Sequence, residues 1–318
     1  MEKPDYHEEC KIIQKNTGSS YYFATKLLPK RVRRPTYILY AFFRRADEVV
    51  DSPNGYRVEI QRELLDEMES MVFSRNKLSD PVFEGFRKLR IHHDLSNKDI
   101  EEFFSSMRKD TVKKRYYTKK ELKNYMRGSA VSVGRMMTDI MIEDPEDKTY
   151  DAADGLSEAF QLTNFIRDVR EDLNELDRIY IPEEILESHG EKHQTLKNKK
   201  MNTGVVKAVR DILGWSEQRY KAGVEGIKYL PEDCRFPVLL AAVFYRSIHS
   251  KVRKNEFDII NNKPQVTKWE RVKLTADTYL RWKKYRDPRE TFQKTCCNEY
   301  SKQGIPGRGP RSSPDAVD

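Results

Sequence analysis

The chain lacks the sequence features of several large protein classes. Its four cysteines, Cys10, Cys234, Cys296 and Cys297, form no C-x-x-C pair and have no histidine at zinc-ligand spacing, so no zinc module is expected. Adjacent cysteines make a poor disulfide pair, and a reducing cytoplasm is the simpler setting. No window approaches the roughly 18 consecutive apolar residues of a spanning helix. The opening MEKPDYHEEC is acidic and has no apolar stretch, unlike a signal peptide. Also missing are a G-x-G-x-x-G after a strand, which argues against a nicotinamide fold, and an Asn-Gly between alternating β-branched runs. There is no repeat at a solenoid period. A net charge of +8 invites a nucleic-acid reading, but no zinc finger, aromatic/glycine RNA motif or helix-turn-helix accompanies it.

What the chain has is helical periodicity. Its 318 residues are 37% hydrophobic and 35% charged, enough for a core under a heavily charged surface. Helices are predicted at 32–50, 57–74, 80–92, 97–109, 119–142, 150–176, 203–229, 236–260 and 266–284. Pro35 fits a first turn, SPNG at 52–55 a stop, Asp80-Pro81 and Ser96 two starts, and Thr118 with Glu121 a capping box. The lysine-rich connection 183–203 reads as a surface excursion. One all-helical domain over 1–303 is expected, with a Gly/Pro/Ser-rich disordered tail at 304–318. Between Lys251 and Arg311 there are 16 basic and 7 acidic residues, so the positive charge is concentrated near the C-terminus.

One pattern occurs twice. In RRADEVVD, Asp47 and Asp51 are four apart, with Glu48 between them; in QLTNFIRDVREDL, Asn164, Asp168 and Asp172 form a ladder of fours. Four residues turn about 400° and rise about 6 Å along an α-helix, so each set shares one face. A lone D-x-x-x-D is usually a solvated face. Two such sets in apolar, aromatic company read otherwise, since like charges on one face cost stability unless a cation intervenes. Oxygen ligands without histidine or thiolate suit Mg²⁺, which takes its remaining ligands from water and substrate phosphate. Arg44, Arg45, Arg167, Arg170 and Arg178 accompany the two sets, as phosphate binders or as partners of nearby acids; Arg170 is expected to pair with Glu171, Glu175 or Asp177. Small residues and thioethers at Gly128, Ser129, Ser132, Val133, Met136 and Met137 leave room for a chain or mark a close helix–helix contact, of which the residues alone favour the contact.

SSYYFATKLLP (19–29), YAFFRRADEVVD (40–51), YMRGSAVSVGRMM (125–137) and QLTNFIRDVREDLNELDRIYIP (161–182) resemble, in order and spacing, the signature blocks of phytoene and squalene synthases. The block GSAVSVGRMMTD is most similar to archaeal-type phytoene synthases, and AAVFYRSI (241–248) is similar to a C-terminal helix of the family. The resemblance implies an all-α class I terpenoid synthase bundle around one central cavity. It implies that Asp47, Asp51, Asn164, Asp168 and Asp172 ligate Mg²⁺, with Mn²⁺ as a substitute and Glu48 as a helper. Thr17, Gly18, Ser19, Ser20, Tyr40, Arg44, Gln161, Arg167 and Tyr245 would contact diphosphate; Tyr125, Arg178 and Tyr180 would assist ionisation or rearrangement. The chain departs from the family at Arg170, where glycine is frequent, and by one extra residue between Asp172 and Arg178.

The implied reaction condenses two geranylgeranyl diphosphates to phytoene through a cyclopropyl diphosphate, without a redox cofactor. The alternatives are a dehydrosqualene or squalene synthase acting on farnesyl diphosphate, or a non-catalytic assembly protein; the intact aspartates speak against the latter. A trans-prenyl elongase would carry D-D-x-x-D, which is absent. A hydrocarbon product and the basic C-terminal segment predict a cytoplasmic enzyme docked peripherally on an anionic inner membrane face. There Trp269, Val272, Ala276, Tyr279 and Trp282 either face lipid or close the bundle.

Overall fold

The computed structural model describes residues 6–51 and 55–301; of the stop expected at 52–55 all but Gly55, and the tail expected from Gly304, lie outside the described residues. Helices α1 (Tyr6–Thr17), α2 (Ser19–Thr25) and α3 (Lys30–Val50) lead into α4 (Val58–Phe73), α5 (Pro81–His92) and α6 (Asn97–Asp110). Next come α7 (Lys119–Met126), a π-helical turn over Arg127–Val131, α8 (Ser132–Met141), α9 (Asp147–Arg167) and α10 (Val169–Glu175). The chain continues through α11 (Glu183–Glu187), α12 (His193–Lys197), α13 (Thr203–Glu225), α14 (Glu232–Lys254), α15 (Lys268–Tyr285) and α16 (Pro288–Ser301). Among the described residues there is no strand, only an isolated bridge between Arg115 and Ile179. The all-α expectation holds, and the class I terpenoid synthase fold is that of its structural neighbours.

The caps explain several boundaries. Asp80 accepts from the backbone of Val82 and Phe83, Ser96 from Asp99, and Thr118 from Glu121, each satisfying a free helical N–H. The Glu121 carboxylate closes on the Tyr117 N–H at 2.8 Å. A reciprocal capping box forms instead at Thr267 and Glu270, where α15 begins. Because α3 starts at Lys30, Pro35 falls in its second turn rather than its first. The sequence reading overlooks α1, α2 and α16. The last starts at Asp287-Pro288, the same signal that reveals α5, and its Phe292 stacks 5.7 Å from Tyr220. The 183–203 connection is not a bare excursion, because Ile185, Leu186, His193 and Leu196 on α11 and α12 are buried.

Two contacts fix the elements that matter below. Phe42 on α3 stacks on Phe86 of α5 with centroids 3.6 Å apart, and Phe103 and Phe104 of α6 close around it at 6.1 and 5.9 Å. This aromatic knot clamps the helices whose C-terminal turns carry Asp47 and Asp110. Across the molecule α9 and α13 meet backbone to backbone: a Cβ on Gly223 would lie 2.5 Å from the Leu156 nitrogen.

Both predicted long helices in the middle of the chain are interrupted. Where one α-helix is expected over 119–142, the π turn widens the coil. Gly128 there is pressed against α6, and an added Cβ would sit 2.0 Å from the Glu102 carbonyl oxygen. Where one helix is expected over 150–176, α9 ends at Arg167 and α10 begins at Val169. Asp168 occupies the bridge region at φ −104°, ψ 8°.

Candidate active site

Asp47 projects from the last turn of α3, and Asp51 caps that helix at φ −100°, ψ 13°. Asp168 has nearly the same backbone at the α9–α10 junction, so the second ladder is not a single helical face as predicted. Its spacing survives: the Asp168 N–H still donates to Asn164 O at 2.9 Å, and the Asp172 N–H to Asp168 O at 2.9 Å. Asn164, Asp168 and Asp172 therefore still face Asp47 and Asp51, across a polar chamber of about 530 Å³.

Of the predicted site residues, Thr17, Gly18, Tyr40, Arg44, Asp47, Asp51, Tyr125, Gln161, Asn164, Arg167, Asp168, Asp172, Arg178, Tyr180 and Tyr245 all line this chamber. The side chains of Ser19 and Ser20 lie outside the described residues. Glu48 is not brought in; it is exposed and ion-paired with Arg44 at 3.2 Å. Arg45 turns to Glu9 at 3.5 Å, and Arg170 reaches the Asn261 carbonyl at 3.3 Å rather than an acid on its own helix.

Below the aspartates the loop after α10 turns back under the chamber. Ile179 N–H donates to the Lys114 carbonyl at 2.9 Å, which carries Arg178 and Tyr180 inward. Arg178 is buried, with Nη1 donating to Asp51 Oδ1 at 2.7 Å and Nη2 to the Asp110 carbonyl at 3.0 Å. The Tyr125 hydroxyl donates to Asp110 Oδ2 at 2.5 Å. Arg167 grips Asp168 with two hydrogen bonds of 2.8 and 2.5 Å.

The charges are crowded. Burial, then the neighbouring Asp51 carboxylate, pushes Asp47 up to about 8. Burial, then Asp168, does the same to Asp172, also to about 8. Asp110 rises to about 7, chiefly through burial. Buried oxygens of Asn164 (Oδ1), Asp110 (Oδ1) and Glu171 (Oε2) have no hydrogen-bond partner among the described residues. Bare acceptors beside crowded carboxylates form a donor set suited to a cationic ligand. Among the described residues no three acidic, histidine or cysteine side chains converge to enclose an ion alone. A hard ion sharing its coordination shell with water and phosphate fits that donor set.

A second chamber, of about 240 Å³ and almost wholly apolar, adjoins the first; Tyr21, Ser129 and Gln161 line both. Its walls include Ala130, Gly134, Ala152, Ala153 and Ala241, with Met137, Met141 and Val238. The small residues after Tyr125 serve both purposes that the sequence left open. Gly128, Ser132 and Met136 are buried in packing, whereas Ser129, Val133 and Met137, one position on, line the chamber. Where the chambers meet, Phe160 stacks on Tyr245 at 4.6 Å and Tyr21 lies 5.0 Å from Tyr245. Phe165 stacks on Tyr180 at 4.3 Å.

The sequence reading misses Asp110, Tyr21 and Lys263. Asp110 was findable, because it continues the Ile100–Phe103–Met107 row at three- and four-residue spacing, and an acid on a buried row asks for a reason. Tyr21 lies within a block already singled out. Lys263, from the loop after α14, reaches Glu171 at 2.9 Å and Asp168 at 3.5 Å. Nothing in its local sequence announces that reach.

Comparison with known proteins shows the family. Residues 14–271 match the squalene/phytoene synthase family. The chain is 28% identical over 294 residues to a phytoene synthase of Arthrospira platensis, covering 88% of this chain and 94% of the relative. To a 4,4'-diapophytoene synthase of Staphylococcus haemolyticus it is 25% identical over 284 residues, covering 88% and 98%. A crystal structure of a dehydrosqualene synthase in complex with ligand superposes with a TM-score of 0.78 at 30% identity, covering 88% of this chain and 97% of that one. The GSAVSVGRMMTD block predicts an archaeal-type member, whereas the two named source organisms are bacterial. The chain belongs to the squalene/phytoene synthase family and is a prenyltransferase of that type.

Proposed function

We propose that the protein condenses two geranylgeranyl diphosphates head to head into phytoene. The observation that carries this reading is the junction of a carboxylate- and arginine-lined chamber with an apolar one walled by alanine, glycine and serine. Short side chains leave length for a long prenyl tail, and apolar walls favour each added methylene by about 0.8 kcal/mol.

Asp47, Asp51, Asn164, Asp168 and Asp172 would hold magnesium, with manganese as a substitute, and the bound ion supplies positive charge at the leaving diphosphates. Arg44, Arg167 and Lys263 line the chamber, where guanidinium and ammonium groups would bind phosphate oxygens and offset the charge that builds as the C–O bond breaks. The donor's allylic cation is attacked by the acceptor's double bond, and loss of a proton closes a cyclopropane that still carries one diphosphate. When that diphosphate leaves, the cation rearranges and a second proton is lost. Two diphosphates and two protons depart, and no reductant is consumed. The faces of Phe160, Phe165, Tyr180 and Tyr245 offer π density to a passing cation while excluding water. Arg178, tied to Asp51 and Asp110, keeps Tyr125 and the first aspartate pair in register.

A second reading, two farnesyl diphosphates giving a C30 product, is favoured by the superposition on a dehydrosqualene synthase at 30% identity. Incubating the purified protein with magnesium and equimolar C15 and C20 diphosphates separates them. A predominantly C40 hydrocarbon is expected; a C30 product establishes the second reading.

A further inference from the structure

Helix α15 carries the stripe that the sequence could assign either to lipid or to the core, and its side chains divide cleanly. Thr278 and Trp282 are buried, while Trp269 is 78% exposed, Leu280 67% and Val272 51%. At 100° per residue, Trp269, Val272, Ala276 and Leu280 fall on one outward face, together with Lys273 and Lys283. The acids of the helix are engaged at its flank, Glu270 with Lys251 and Asp277 with Arg281 at 2.9 Å. None of Lys268, Lys273, Lys283 and Lys284 has an ion pair among the described residues; Lys283 lies over the Tyr279 ring at 5.0 Å. A tryptophan, a leucine and a valine held in water cost free energy that packing would recover, and the lysines beside them, with no ion pair among the described residues, repel a second copy of the same face.

The position of α15 adds to this. Its inner side meets α14 through Phe236, whose ring lies 6.4 Å from the buried Trp282 and 5.6 Å from the partly exposed Tyr279. The next residues of α14, Pro237 and Val238, line the apolar chamber. The helix is thus laid against the outside of that chamber's wall.

We infer that the outward face of α15 is a docking surface for an anionic lipid bilayer, with Trp269, Val272 and Leu280 entering the interface and Lys273, Lys283 and Lys284 meeting the headgroups. An amphipathic helix lying in the interfacial plane binds by apolar burial together with attraction to anionic lipid. The orientation sets the apolar chamber's wall next to the bilayer, a setting suited to lipophilic substrates and products.

The test uses the full chain without substrate, so its outcome is independent of which diphosphate is condensed. Partitioning is measured by co-sedimentation with phosphatidylcholine vesicles, with and without phosphatidylglycerol, across a salt series. Binding is expected only with phosphatidylglycerol and should weaken as salt rises. Each of Lys273→Gln, Lys283→Gln and Lys284→Gln should lower the partition coefficient about fivefold. The pair Trp269→Ala and Leu280→Ala should lower it by about tenfold or more, with unchanged circular dichroism and unchanged turnover of detergent-dispersed substrate. Equal binding to neutral vesicles, binding indifferent to these substitutions, or a dimer in sedimentation equilibrium that Trp269→Ala dissolves would each overturn the assignment.

Discussion

The two chambers share three residues and little else. The polar one, about 530 Å³, gathers five aspartates and four cationic side chains; the apolar one, less than half that size, has almost no polar wall. The polar chamber is built from interruptions, namely the end of α3 at Asp51, the break at Asp168 and the inward loop that carries Arg178. The apolar chamber is walled mainly by short and apolar side chains of α8, α9 and α14, with Ala130 from the π turn. The contrast follows from the ligands. A charged head needs donors aimed from several directions, and chain ends and breaks supply them, whereas a prenyl tail needs only room and dryness.

The sharpest break in the comparison comes from neutralising the head chamber alone. Asp47→Asn or Asp168→Asn keeps the shape and removes a charge. Turnover should fall at least about 1000-fold while the helical circular dichroism is unchanged. Chelation of divalent cations should mimic this reversibly. Filling the tail chamber should act selectively: Ala153→Phe should cut C20 turnover by about 10- to 100-fold and spare C15 turnover, measured in parallel assays. Asp110→Asn, which keeps an acceptor for Tyr125 but not the charge, should cost about tenfold in kcat with KM little changed, by steady-state kinetics.

A smaller effect concerns stability. Asp47 and Asp172 have folded-state pKa values of about 8, far above the 3.8 of an ordinary carboxyl. Between those values the folded protein binds more protons than the unfolded chain, so their contribution to stability is present at acid pH and lost as pH rises towards 8. In metal-free buffer at pH 8, Asp47→Asn or Asp172→Asn should therefore raise the melting temperature by a few degrees, about 1–2 kcal/mol. At pH 4 the gain should vanish. Magnesium should stabilise the parent protein but not the variants, by differential scanning fluorimetry.

Much of this contrast is legible in the sequence. The spacing of Asp47 with Asp51 and of Asn164 with Asp168 and Asp172 points to the head chamber because hydrogen bonding at i to i+4 persists even where the helix breaks. The break itself is not legible: Asp168 is flanked by Arg167 and Val169, with no glycine or proline to mark it. Nor is the π turn, since RGSAV reads equally well as α-helix, and the close approach of Gly128 to α6 at that turn exists only in the folded chain. Lys263 is brought to Asp168 by tertiary packing of a loop 95 positions further along the chain, which no local pattern encodes. The lesson of the small-residue stretch is different. Its two readings, packing and cavity, belong to adjacent rows of one helix, and only the neighbours of that helix decide which row does which.

The most direct test is a crystal structure with magnesium and a non-hydrolysable thio-analogue of geranylgeranyl diphosphate. The account predicts diphosphate between Arg44, Asp47, Asn164 and Arg167, with the prenyl tail passing Ser129 into the space between Ala153, Met137 and Val238. A tail lying elsewhere, with the apolar chamber closed by side chains, would contradict it.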